Sequence, residues 1–438
     1  MISSGTRLPQ IEAAARPSTP REERGRRSTD RVRKRGARWP LVASWLACLS
    51  GAAGCGSGAG DHAAGNLDDG GPRYAVAGRV NSGDFTSATS FVWVVDDVNE
   101  GSVGLGEAVE LPGGASIWGV AQAEVFYVVS SEELTISKYG AAGGKPELKG
   151  RLGLNGAEIS FLLGEKMLFD GPDRAFLFDL SSAQALEIDL AVMEITRHID
   201  LSDALIESAD YTLLGDPGFR KRGDRYVASV YGTSAKYDRM AGESKILFFD
   251  PADGSIEVKD APCGGLNYTV EAANGDLYFA SDPFVASLFL LDPERAPAPC
   301  MARMAAGKDE PDTAVVALND VTGGATGGLI PGSDGVAYLR VLDTEIFSPG
   351  AGSTHLDVFS APAWQTWRID LSDPESAERL EHAPRAGGIK VFEVDGHAYE
   401  NESTADFAST TLVRTTGDDA PARALTMPGV TWGVVRVR

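Results

Sequence analysis

The chain has 438 residues, with 40 Lys/Arg against 62 Asp/Glu and a net charge of −22. Eleven Arg/Lys against four acids put +7 on the first 38 residues and leave −29 on the rest, a surface that repels phosphate backbones and speaks against nucleic acid as a partner. Five His and four Cys are too few for a zinc scaffold, and 74 Gly plus Pro point to many turns between short elements.

The first element in chain order is an apolar run from Trp39 to about Ala53, holding Leu41, Val42, Trp45, Leu46 and Leu49. At ~15 residues it is shorter than the ~20 a spanning helix needs and suits the apolar part of an export signal. Small residues then lead into Cys55 (Gly51-Ala52-Ala53-Gly54-Cys55). This phrase resembles the bacterial lipobox, whose cysteine is acylated and becomes the mature N-terminus; Ala52 departs from the Leu usual there. Residues 1–54 are therefore expected to be a basic leader and lipoprotein-type signal peptide, and residues 55–72 a flexible Gly/Ser tether. The expected address is the outer membrane, on its periplasmic face or at the cell surface, with the lipid on Cys55 as the one membrane contact. Ordinary signal-peptidase cleavage, giving a freely secreted chain, is the alternative. Once Cys48 leaves with the leader, Cys263 and Cys300 remain. They form either one disulfide, closing a loop of about 36 residues, or two buried thiols.

From Arg73 onward a four-strand grammar recurs. Its clearest copy is residues 266–305: a strand at Asn267–Glu271, a hairpin turn at Asn274-Gly275, and a second strand at Leu277–Ala280. A loop at Asp282-Pro283 leads to a third strand at Ser287–Leu291, and a fourth follows around Met301–Met304. Turns at Gln122-Ala123, Gly164-Glu165, Gly223-Asp224, Asp334-Gly335 and Asp395-Gly396 each precede a second strand: Val125–Val129, Lys166–Phe169, Tyr226–Val230, Val336–Val341 and His397–Tyr399. Third strands follow at Leu134–Tyr139, Ala175–Leu180, Ile246–Asp250, Trp367–Asp370 and Thr411–Thr415. Only Leu190–Ser208 hints at a helical period.

Regular four-strand units of this length predict an all-β chain forming a single β-propeller over residues 73–438, with seven four-stranded blades. A β-sandwich joined to a second β domain is the alternative. The ends predict how the ring closes. Ile117-Trp118-Gly119-Val120 recurs as Thr431-Trp432-Gly433-Val434 at the C-terminus, while the mature chain starts on a second-type strand at Arg73–Gly78. The C-terminal strand is thus expected to join the first blade and remove its open edge.

Chemistry is expected on the face that carries the long insertions. These are Asp189–Asp216 with His198, Gly232–Glu243 with Lys236, Tyr237 and Arg239, and Asp343–Trp364 with His355. The ligand-binding expectation rests on Trp118 and Trp432 at the channel mouth, and on Lys236, Tyr237, His355 and Trp364 in the insertions. The basic cluster Phe219–Arg225 is either an anion or membrane contact or a solvated turn that moderates the charge. Asp250-Pro251, Asp292-Pro293 and Asp373-Pro374 read first as turn formers and do not match an EF-hand loop. No catalytic residue, metal ligand or cofactor is assigned, because no hydrolase elbow, P-loop, zinc motif or dinucleotide fingerprint occurs. Propeller active sites gather residues from several blades, so an enzyme is not thereby excluded.

The leader, Cys55 and the phrase Pro112-Gly113-Gly114 to Trp118-Gly119-Val120 together resemble bacterial β-propeller lipoproteins found beside siderophore-uptake systems. The resemblance implies a non-catalytic accessory in ferric-siderophore acquisition, binding a small ligand or an outer-membrane receptor. A propeller hydrolase of the lactonase kind, with a divalent cation in the channel, is the competing expectation.

Overall fold

The computed structural model describes residues 71–438 apart from 82–87, 113–114, 122, 143, 158, 160–164, 205–209, 215–217, 333–334, 384, 386, 388–390, 396, 405 and 416–421. The leader, Cys48, Cys55 and most of the expected tether lie outside the described residues, as do parts of four of the turns named above.

Seven antiparallel sheets follow one another, and each is a blade. Blades 2, 3, 5, 6 and 7 begin at their innermost strands, Ala115–Val120, Glu165–Phe169, Leu266–Glu271, Thr326–Pro331 and Val391–Val394. In blade 4 the innermost position is shared by two pieces, Tyr211–Leu214 and Arg220–Arg222, which pair with opposite halves of Arg225–Ser234. Blade 1 is assembled from both ends of the domain. Its innermost strand is Val430–Arg436, which pairs with Tyr74–Asn81 from Tyr74↔Arg436 to Arg79↔Val430. The chain is therefore a seven-bladed β-propeller closed by its C-terminal strand.

The repeated Trp-Gly phrase has a packing cause. The innermost strands of blades 1 and 2 lie so close that a Cβ at Gly119 would sit 2.8 Å from the Arg436 carbonyl oxygen, and one at Gly433 2.8 Å from Ile117 Cγ1. Each strand needs a glycine where the other approaches.

The core is distributed as seams. Apolar clusters join blades 1 and 2 around Phe126, 2 and 3 around Tyr127, 3 and 4 around Phe178, and 4 and 5 around Phe248. Others join blades 5 and 6 around Leu339, 6 and 7 around Tyr338, and 7 and 1 around Tyr399. No blade buries its two faces alone, since each of these seams takes side chains from two neighbouring blades.

Three expectations about elements are corrected. Ser287–Leu291 is not a strand but part of helix α1 (Pro283–Leu291), and the third strand of blade 5 is Cys300–Met304. Asp282 caps α1 by accepting from the Phe284 amide at 2.7 Å, and Pro283 takes the first helical position, where its missing N–H costs nothing. In blade 3, Lys166–Phe169 and Ala175–Leu180 fall on strands one and two (Glu165–Phe169 and Arg174–Asp179), not two and three. Leu190–Ser208 contains the outermost strand of that blade, Glu194–Asp200, and a short 3-10 turn, Ser202–Ala204. Two further short helices are α2 (Leu318–Thr322) and α3 (His355–Ser360).

Candidate functional site

In an antiparallel blade the connection from strand two to strand three lies on the face opposite the turn from strand one to strand two. In blades 4, 5 and 6 this connection is enlarged. Blade 4 extends its hairpin through Arg225–Ser234 and Met240–Phe249 to a tip at 235–239, turned by Tyr237 at φ 57°. Blade 5 inserts α1, and blade 6 inserts residues 343–363 with α3. Two apolar clusters knit these insertions into one cap. One gathers Tyr231, Met240, Phe284, Val285, Leu288 and Phe359, with Tyr237, Phe289 and Leu356 packed against it. The other sets Ala286, Leu342, Val358 and Trp364 together, with Leu291 and Phe347 against them. The Met240 amide donates to the Arg295 carbonyl at 2.7 Å, tying the hairpin to the segment after α1.

Four of the six residues expected to bind ligand lie in or under this cap. Lys236 is exposed at the hairpin tip, and Tyr237 beside it is half-buried; burial pushes the Tyr237 phenol up to about 12. His355 stands edge-on to Phe284, with ring centroids 4.9 Å apart. Burial, helped by Arg295, holds its imidazole below 6.5 despite Asp238 and Asp357 nearby. Trp364 is fully buried under α3, its indole donating to the Val358 carbonyl at 3.0 Å. The other two lie in seams between blades. Trp118 packs between blades 2 and 3 with the Lys166 ammonium 4.9 Å from its ring, and Trp432 donates to the Ala115 carbonyl of blade 2 at 2.9 Å. His198 is exposed on the outermost strand of blade 3, away from the cap.

Phe284, Phe289 and Arg295 join the cap without having been singled out in the sequence. The missing signal was Asp282-Pro283, read as a loop where it is a helix cap and first turn. The outer face of the cap leaves Leu290 37% and Ile346 51% exposed. Beneath α1 and its following segment, Cys263 and Cys300 are joined in a disulfide.

The arginines of the basic cluster are committed within the fold. Arg220 donates through Nε to the Thr269 carbonyl of blade 5 at 3.0 Å, and its Nη2 lies 3.5 Å from Glu393 of blade 7. Blades 4 and 7 are three apart in a ring of seven, so this ion pair reaches across the axis. Arg222 binds the Ala305 carbonyl, and Arg225 pairs with Glu257 at 2.8 Å and Asp309 at 2.6 Å. Lys221 stays exposed over the Tyr226 ring. At the Asp-Pro turns, Asp250 and Asp292 accept from the backbone amides of Ala252 and Glu294, at 2.8 and 3.0 Å. Among the described residues no group of three His, Cys, Asp or Glu is placed to hold a metal ion, and no helix is long and apolar enough to cross a membrane.

The fold and the cap define a class: a closed seven-bladed propeller carrying one capped face. No protein-family model matches the chain, and no curated protein does. Solved structures do resemble it. A functionally unknown protein from Desulfotomaculum acetoxidans is 8% identical, with a TM-score of 0.47 over 84% of this chain and 99% of that one. Apo AztD from Citrobacter koseri is 8% identical, with a TM-score of 0.46 over 84% and 97%. Virginiamycin B lyase from Staphylococcus aureus is 11% identical, with a TM-score of 0.38 over 76% and 92%. These are likenesses of fold.

Proposed function

We propose that the chain is an exported, lipid-anchored binding propeller. Its capped face engages a small ligand, or a partner such as an outer-membrane receptor, in ferric-siderophore uptake. The observation that supports this reading is the convergence of three separate insertions into one cap. Its inner side holds Tyr237, His355 and Phe284, and its outer side keeps Leu290 and Ile346 in solvent. Loops elaborated together on a rigid ring are where binding proteins place their contacts. The competing hydrolase would need free carboxylates around a cation at the axis, and Glu393 on the innermost strand of blade 7 is paired to Arg220. An anionic ferric chelate must overcome the acidic body, so its contacts are assigned to the cap, where Lys236 is exposed and aromatic side chains are close.

Thermal unfolding of residues 61–438 tests the reading, with EDTA, Ca²⁺, ferric siderophores and lactones added in turn. A ligand held at 100 times its dissociation constant stabilises by about 2.7 kcal/mol. The expected result is a rise with a ferric siderophore that EDTA leaves unchanged. Stabilisation by Ca²⁺ that EDTA reverses would instead favour the hydrolase. No shift with any small molecule would leave a protein partner as the occupant of the cap.

A further inference from the structure

The three insertions of the cap meet at one imidazole. His355 opens α3, and its ring packs edge-on against Phe284 of α1 at 86°; Phe284 in turn packs edge-on against Phe359 of α3, centroids 5.6 Å apart. Nε2 of His355 is buried and has no hydrogen-bond partner. Charged groups face the ring from the surrounding elements: Asp238 at the hairpin tip of blade 4, Arg295 after α1, and Asp357 within α3. Helix α1 itself brings no titratable side chain.

Each of those groups is already committed. Asp238 accepts from the Ser234 hydroxyl at 2.8 Å, which holds the hairpin tip. Asp357 accepts from the Thr354 amide at 2.8 Å, which caps α3. Arg295 pairs with Asp292 at 2.9 Å. With Asp238 held by its turn and Asp357 by its helix cap, neither carboxylate is hydrogen-bonded to His355 Nε2 in the closed cap. A neutral imidazole is tolerated in this apolar seam, whereas a charged one without a partner is costly to bury.

We propose that His355 is a proton-operated latch on the cap. Neutral, it seals α3 against α1; protonated, it must leave the seam, and the cap loosens while the ring of blades stays closed. The sign follows from burial, which places the pKa of the closed state below the ordinary 6.5. The closing energy is complete above about pH 6.5, declines as the pH falls below it, and levels off at the lower pKa of the closed cap. The latch concerns the order of the cap alone, so it can fail while the binding reading survives, and the reverse.

Hydrogen exchange read by mass spectrometry, corrected for the intrinsic pH dependence of exchange, tests it on peptides spanning residues 283–291 and 355–360. Between about pH 7.5 and about pH 5, exchange in both helices is expected to accelerate about tenfold for each unit separating the two pKa values, while blades 1–3 do not change. His355→Phe keeps an edge-on ring that cannot take a proton and should abolish the acceleration. His355→Gln serves as the non-titrating variant if the phenylalanine disturbs folding, with the His355 ring resonance followed by NMR in the wild type. Equal acceleration in wild type and variants, or blades 1–3 loosening in step with the cap, overturns the latch.

Discussion

A phenol on the second strand recurs as a clip between neighbouring blades. Tyr74 of blade 1 donates to Asp395 of blade 7 at 2.5 Å, and Tyr226 of blade 4 to Asp170 of blade 3 at 3.0 Å. Tyr278 of blade 5 donates to the Leu371 carbonyl of blade 6 at 2.7 Å, and Tyr399 of blade 7 to Asn99 of blade 1 at 2.8 Å. Burial, reinforced by the carboxylates beside Tyr74 and Tyr226, raises all four phenols above the usual 10.0. Tyr127, Tyr139 and Tyr237 are raised by burial as well. A folded-state pKa above the unfolded value means that this stability is fully present below pH 10 and is lost as pH rises through the folded values. Absorbance titration near 295 nm should therefore show seven of the eleven tyrosines ionising late, together with alkaline unfolding. All eleven ionising reversibly near pH 10 would contradict the buried clips. A second device works at the same scale: Arg340 and Glu400, 3% and 1% exposed, bond at 2.6 Å between blades 6 and 7, and the two terminal nitrogens of the guanidinium also donate to Thr366 and to the Trp364 and Gly387 carbonyls. Taking both charges out of water costs much of what their attraction returns, so the pair is weak evidence of net stability, whereas removing one partner would leave a buried uncompensated charge.

Among the elements, α1 shows what a local phrase can decide. Asp282 caps the helix and also accepts from the Asn267 side chain at 2.7 Å, tying the cap to the innermost strand of blade 5. Asp282→Ala should cost about 1–2 kcal/mol by urea unfolding, and Asp282→Asn much less, since asparagine also caps. Equal losses in the two would place the effect in the Asn267 contact instead. This helix also marks the limit of what the chain discloses before it is folded. The strand-turn-strand rhythm and the recurrence of the Trp-Gly phrase made the ring, its blade number and its closure legible, because period-two alternation and hairpin turns are local. An apolar run such as Ser287–Leu291 satisfies a buried strand and a buried helix alike, and only the Asp-Pro pair ahead of it separates them. Blade 3 was shifted by one strand because Glu194–Asp200, an outermost strand alternating between exposed and half-buried residues, shows little apolar pattern. Tyr237 and His355 could be picked out by their loops. Their common partner Phe284 could not, since it comes from another blade.

For the whole molecule, closure rests on one strand. Removing residues 429–438 leaves Tyr74–Asn81 with an open edge and strips Val434, Val435 and Val437 from the seams on both sides of blade 1. The truncated chain should elute at a larger size than the intact chain by size exclusion, because an open edge recruits another chain. A circular permutant placing 430–438 ahead of residue 73 should restore the intact chain's elution, since the Arg73 amide already donates to the Arg438 carbonyl at 3.2 Å. A truncated chain that elutes with the intact one and is equally stable would show that the closure is dispensable.

The same strand pairing sets how the domain bears tension. Tyr74–Asn81 starts on the face of the strand-one turns, opposite the cap, and runs toward the capped side between Val430–Arg436 and Ala88–Val95. A pull on the chain at Arg73, resisted by anything gripping the cap, acts along that strand and across its hydrogen bonds, which lie perpendicular to it. The bonds on both flanks then share the load at once instead of parting one after another. Blade 1, the one blade stitched from both ends of the domain, is loaded in shear, the direction in which a β-ladder is hardest to break.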